Sequence, residues 1–295
     1  MITLPKEWLD YNNTIRDRCR DLIEFKIWSG IDLNSFEAWR QNFKTDEEKY
    51  FSACVLDSLI YRSNTQTYSL INQLLFKNLN NLFRILGEAA LQNFPECLRQ
   101  TTTDPLVRFI PAICSDDPVT KSSNEILRFM KRHFQISEKW IINPWNIESE
   151  VINGVKAFVF IDDFLGTGHQ FSNVISDSSL QDRITKSLLV YAPLIAHKKG
   201  ISYLTGLHPN LKIIYAEKLD EKLHSFFINY FPTEVAKAKA FYINLLNSRG
   251  IIFGSGNEYG YGNLELTFAF EHAAPDNSLQ ILHKKTDSWF PLFNR

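Results

Sequence analysis

The residues best placed to do chemistry sit together. Ala157-Phe158-Val159-Phe160-Ile161 runs straight into Asp162 and Asp163, and Gly166-Thr167-Gly168-His169-Gln170 comes two residues later. An acidic pair can accept hydrogen bonds from hydroxyls or hold a hard cation. Glycines on either side of Thr167 let backbone N–H groups turn toward an anion. The residues after them have the pattern of a helix start, whose N-terminus favours phosphate. The apolar run, bounded by turn signals, predicts a strand buried on both faces, as in parallel sheets. The aspartates then fall at its C-terminal end, where open α/β sheets bind ligands.

A ligand suited to both features carries hydroxyls or a metal at one end and a phosphate at the other, which describes ribose 5-phosphate derivatives. Two other chemistries share parts of the pattern. An acidic pair after a strand also occurs in P-loop NTPases, but the Gly-x-x-x-x-Gly-Lys-Ser/Thr loop that must accompany it is absent. No dehalogenase-type Asp-x-Asp is present here either. The bland alternative is a solvated turn at a sheet edge, and the apolar strand combined with the Gly-Thr-Gly spacing argues against it.

The hydrophobic strand, Asp162-Asp163, two variable residues and Gly166-Thr167-Gly168 resemble the phosphoribosyltransferase signature. The resemblance implies that the acidic pair holds the ribose hydroxyls of phosphoribosyl pyrophosphate, directly or through Mg²⁺, so that Asp162 and Asp163 serve as both catalytic and metal-binding residues. It implies that Gly166, Thr167, Gly168, His169 and Gln170 cradle the 5′-phosphate. His169 and Gln170 stand where many members carry Gly and Thr, so the phosphate contacts are expected to differ in detail. The loop after the first strand grips pyrophosphate in this family, and by position that loop contains Lys121, Ser122 and Ser123. An ordinary capped helix is the competing reading there, since Ser122 and Glu125 have capping-box spacing.

Composition narrows the class. With 44% hydrophobic and 22% charged residues, the 295-residue chain has ample material for a packed core. A formal net charge of −1 supplies no global field for nucleic acid, which argues against direct nucleic-acid binding. No apolar run reaches the length of a membrane span, and the first residues lack a signal-peptide core, so a cytoplasmic protein is expected. Cys19, Cys54, Cys97 and Cys114 are scattered without a Cys-x-x-Cys, as expected for reduced thiols rather than a zinc site.

Periodicity sets the elements that must position these residues. Ile15, Cys19, Leu22, Ile23 and Ile27 recur at helical spacing, as do Phe36, Trp39 and Phe43. Thr45 with Glu48 forms a capping box, and Tyr68 to Leu82 reads as a further helix stopped near Gly87. Residues 1–100 thus read as a helical domain, without a β-rich run, one face of which could dock a partner protein. Residues 101–295 read as a phosphoribosyltransferase-like α/β domain with a C-terminal extension, entered through the linker Thr101 to Pro105. Candidate strands are Leu106–Cys114, the motif strand, Leu188–Ala192 closed by Pro193, and Leu211–Ala216. Helices are expected from about Gln170, over Ala196–Leu207, and over Glu234–Asn247. Alternation of strands and helices predicts a mostly parallel sheet. Arg128 is a further candidate to face the same anion as Lys121, and His197 and Lys198 to face a pyrophosphate or a base, each with a plain helix-surface alternative. Gly254 to Asn263 is expected to be a lid or loop, and Leu264–Phe270 a strand. The aromatic end from Trp289 to Phe293 is expected to be packed.

That ending, with Arg108-Phe109-Ile110-Pro111 and the core motif, resembles the phosphoribosyltransferase-like proteins of bacterial antiphage defence loci. The resemblance implies a phosphoribosyl pyrophosphate or nucleotide ligand, possible partner proteins in a defence complex, and an effector role. Two functions stay open from the residues: Mg²⁺-dependent phosphoribosyl transfer or nucleotide modification, and a non-catalytic sensor that signals through its helical part.

Overall fold

The computed structural model of the protein describes residues 1–91, 94–100, 102–114, 116–118, 121–177 and 187–293. The chain divides into two compact units, residues 1–67 with 220–295, and residues 68–219. Residue 100 falls inside the second.

In the first unit, helices Trp8–Glu24, Leu33–Arg40 and Asp46–Asp57 form where the periodicity places them. Ile15, Cys19, Ile23, Phe36 and Trp39 are buried, whereas Ile27 lies beyond the first helix and is exposed. Thr45 caps its helix by accepting from the Glu48 N–H at 3.2 Å, and the Glu48 carboxylate returns to the Lys44 N–H rather than to Thr45 itself. Phe51 sits in an aromatic cluster with Phe226, Phe231 and Tyr242.

This unit also holds a strand the sequence did not announce. β1 (Ile60–Arg62) pairs in parallel with β7 (Phe268–Phe270). Three residues are too few for a period of two to be read, and only the distant partner makes them a strand. Helix Val235–Ser248 forms within a residue of its expected ends.

The Gly254–Asn263 segment is a tied loop rather than a lid. The Gly262 N–H donates to Asn257 Oδ1 at 2.7 Å and the Tyr259 N–H to Asn263 Oδ1 at 3.0 Å. Gly260 adopts φ +86°, and a Cβ there would lie 2.2 Å from the Asn277 carbonyl oxygen. The aromatic end is packed as expected, with Trp289, Leu292 and Phe293 buried.

The second unit is built on an all-parallel sheet. Its order is β2 (Val107–Pro111), β3 (Ala157–Leu165), β4 (Leu188–His197), β5 (Lys212–Ile213), with β6 (Glu217–Leu219) also paired to β4. Every residue of β2, and all but one of β3, is buried, as the unbroken apolar runs require.

β2 is an edge strand, which accommodates Pro111 at its end. Arg108 pins that edge. Its guanidinium donates to Asp104 at 2.8 and 2.7 Å and to Glu150 at 2.5 Å, and lies 5.1 Å from the Trp140 ring centre. Asp104, expected in a linker, is thus anchored to the sheet.

β4 does not stop at Pro193. It continues to His197, with Pro193 opposite Asp162. On its other side β5 pairs with Val190 and Tyr191 and β6 with Ile195 to His197, so the missing N–H falls between them. The following helix accordingly begins at Lys198, not Ala196, and runs to Leu207.

The helix expected over Tyr68–Leu82 is Asn64–Asn72 continued by a π-helical stretch, Gln73–Leu79, and by Asn80–Leu86, with Gly87 left-handed at its end. The π stretch delivers Gln73 and Asn78 amides to the Ala216 and Tyr215 carbonyls, at 2.9 and 2.6 Å. No described helix is long and apolar enough to cross a membrane.

Candidate functional site

β3 outruns β2. Their register ends at Pro111 opposite Ile161, while β3 stays paired to β4 through Leu165. Asp162 and Asp163 therefore lie within a strand that has lost its neighbour on one side only. They are close to the expected lip of the sheet but still held in extended backbone by β4.

Both carboxylates are buried, at 3% and 8% exposure. Asp162 Oδ2 accepts from the Tyr191 hydroxyl at 2.8 Å, and Oδ1 accepts from the Asp163 N–H at 3.1 Å. Asp163 Oδ1 accepts from Ser122 Oγ at 2.8 Å. Burial pushes the Asp162 carboxyl well above its usual range, and the adjacent charge of Asp163 pushes it further. The Tyr191 hydroxyl offsets part of this, and burial beside Asp162 raises the Tyr191 phenol in turn. Tyr191 is fixed by its ring, stacked on Phe171 at 3.7 Å and 4°. Two adjacent buried carboxylates repel, and a proton, a cation or hydroxyl donors relieve that repulsion.

Ser122 opens the helix Ser122–Phe134 with Lys121 as its N-cap. The capping box expected between Ser122 and Glu125 does not form, because no side chain caps this helix and Ser122 is spent on Asp163. Ser123 is buried, and its Oγ has no hydrogen-bond partner among the described residues. The Lys121 ammonium is taken by Asp117 at 2.7 Å. Burial by itself would raise the Asp117 carboxyl, but Lys121 and the Cys114 N–H together hold it below its ordinary value. Ser122 thus joins the acidic pair directly, whereas Lys121 braces its own loop.

The Gly166–Gly168 turn is shaped by a close approach. Gly168 has φ +88°, and a Cβ there would meet Leu204, Tyr203 and the Gly200 carbonyl at 3.0 to 3.1 Å. Gly200 answers from the other side, where a Cβ would lie 2.4 Å from the Gly166 carbonyl oxygen. Thr167 is buried. The helix begins at His169 and runs to Asp177, so its N-terminus abuts the turn, as the motif predicts. The His169 ring meets Tyr203 edge-on at 4.9 Å, and Gln170 Nε2 lies 3.5 Å from the Ala112 carbonyl oxygen, just past the end of β2.

Two sequence candidates lie away from the acidic pair and are engaged within their own elements. His197 is buried and caps its helix, its Nδ1 accepting from the Lys199 N–H at 3.3 Å, while the neighbouring Lys198 is exposed. Arg128 pairs with Glu125 at 3.0 Å. Sequence reasoning missed Tyr191 and Gly200. The signals were a lone polar-tipped aromatic in an apolar strand and an isolated glycine in a helical pattern.

A family model, PRTase-CE, matches residues 36–295. The chain belongs to that family. It is a family of phosphoribosyltransferase-like domains, and the mixed α/β architecture with parallel sheets, preceded by N-terminal helices, accords with it. A search of curated proteins finds no match.

Proposed function

We propose that this PRTase-CE protein binds phosphoribosyl pyrophosphate with Mg²⁺ and transfers the phosphoribosyl group. The observation that carries the reading is the Ser122–Asp163 hydrogen bond, which joins the loop after the first sheet strand to the acidic pair at the end of the second. A sugar phosphate needs both segments at once. In this reading the ribose hydroxyls replace Ser122 on Asp163, and Tyr191 holds Asp162 ready for the same purpose. The freed Ser122, with Ser123 and the helix N-terminus behind them, faces pyrophosphate, and Gly166 to Gln170 take the 5′-phosphate.

The donor set suits Mg²⁺. Among the described residues no group of three or more His, Cys, Asp or Glu side chains forms a metal cage, and Mg²⁺ characteristically borrows its ligands from one or two carboxylates, water and substrate phosphates. Asp162 and Asp163 would hold it, and when bound it neutralises pyrophosphate charge. The chain's own carboxylates stabilise positive charge developing at the ribose carbon.

Calorimetric titration of phosphoribosyl pyrophosphate with Mg²⁺ tests the binding. Asp163→Asn should abolish it, and retained affinity in that variant would sink the proposal. Pyrophosphate release across a panel of bases then separates a transferase from a sensor. The sensor reading draws on the same geometry, since a buried Asp162 already bonded to Tyr191 can hold a ligand without reacting with it. We further propose, on the likeness of the core motif and tail to defence-locus proteins, a cytoplasmic effector role. Nucleotide pools in cells expressing the chain would change with the wild type and not with Asp162→Asn.

A further inference from the structure

Beside the acidic pair, the second unit contains an open cavity of about 450 Å³ that none of residues 162–170 lines. Its volume falls in the range typical of small-molecule sites. One wall is a single stripe of the helix Ser122–Phe134: Asn124, Leu127, Arg128 and Lys131, spaced as one helical face must be. The facing wall is the 138–143 segment, which runs along the outer edge of β2. There Phe109 bridges Ile141, and the Ile142 N–H donates to the Phe109 carbonyl at 2.9 Å. Pro111, at the end of β2, also lines it.

The lining holds apolar, amide and cationic side chains, with one carboxylate, Glu138. Leu127, Ile141 and Ile142 offer apolar faces to a flat ring. The amide of Asn143, on an exposed residue, supplies a donor and an acceptor of the kind that read a heterocycle's edge. Arg128 and Lys131 supply two cations at the rim, each about half exposed. Lys131 pairs across the opening with Glu138, and Arg128 pairs with Glu125 on its own helix. Such exposed pairs hold weakly, so a dianion displaces the carboxylates readily.

We propose that this cavity is a second ligand site, for a nucleoside monophosphate, with the base between Leu127 and the Ile141–Ile142 segment and the phosphate on Arg128 and Lys131. The site is independent of the phosphoribosyl reading, because Ser122 meets Asp163 while the cavity lies along a different stripe of the same helix. An occupant would nevertheless brace the helix that carries Ser122.

The test is calorimetric titration of AMP and of CMP into the full chain, with inorganic phosphate as a separate probe. At least one nucleotide should bind the wild type and Asp163→Asn equally. The double substitution Arg128→Ala with Lys131→Ala, at two half-exposed positions, should weaken it by about tenfold or more, the loss expected for charge-assisted contacts. The same double variant should keep its affinity for phosphoribosyl pyrophosphate, which separates the two proposals whichever fails. No nucleotide binding at millimolar concentration would overturn the assignment. So would affinity unchanged in the double variant, affinity lost in Asp163→Asn, or inorganic phosphate binding as tightly as the nucleotides.

Discussion

Gly200→Ala should damage the phosphate turn from outside it. The added Cβ would stand 2.4 Å from the Gly166 carbonyl oxygen and 2.7 Å from a Leu165 methyl, where real Cβ contacts begin at 3.0 Å. The backbone of one partner must therefore yield by at least 0.6 Å. Overpacking of this kind costs about 1–3 kcal/mol. Against that stands the helix preference for Ala over Gly, up to about 1 kcal/mol. The control is in the same helix: a Cβ at Gly206 meets nothing within 4 Å. Gly206→Ala should keep the propensity gain, so the two variants should differ by about 1–3 kcal/mol in urea denaturation at equal m-value. Because the turn carries Gly166 and Thr167, Gly200→Ala should also weaken phosphoribosyl pyrophosphate binding while Gly206→Ala leaves it intact. If Gly200→Ala proves as stable as Gly206→Ala, the close approach of helix and turn is not a constraint and the account of the cradle fails.

The acidic pair makes opposite demands on stability and function. The Asp162 carboxyl is raised by burial and by Asp163, so its cost is absent at low pH and grows as pH climbs through its folded-state pKa. Asp162→Asn should therefore stabilise the free protein at pH 7, by about 1–3 kcal/mol, while impairing ligand binding; thermal melts across pH would show it. Tyr191→Phe removes the donor to that carboxylate and should cost about 1–3 kcal/mol at pH 7 and less in acid. Arg108→Met leaves the partly exposed Asp104 and the less exposed Glu150 without their shared cation; with solvent reaching both carboxylates it should cost about 1–3 kcal/mol by chemical denaturation. Burial lowers the His283 imidazole to about 4. The unfolded chain then takes up a proton below about pH 6.5 that the folded chain refuses, so stability falls between pH 6.5 and 4, by at most about 3 kcal/mol. His283→Phe should flatten that limb of the pH profile, and an unchanged slope would exclude His283 as its source.

Local pattern alone determined the buried strand from Ala157 into the aspartates, the turn at Gly166–Gly168 and a helix start near Gln170, because apolar runs, glycines and helix starts are properties of neighbouring residues; pairing with β4 carried the strand on to Leu165. The same holds for most helices of the first hundred residues and for the packed aromatic tail. Tertiary structure decided whatever depends on distant partners. β1 exists because Phe268–Phe270 lies beside it, and β4 crosses Pro193 because the missing N–H meets a gap between two short strands. Ser122 left its own helix end for Asp163, and Tyr191 reached Asp162 across the register of β3 and β4. Hydrogen bonds and burial between residues tens of positions apart leave no periodic trace in the chain, so which groups serve the acidic pair was settled only when the sheet brought them into contact.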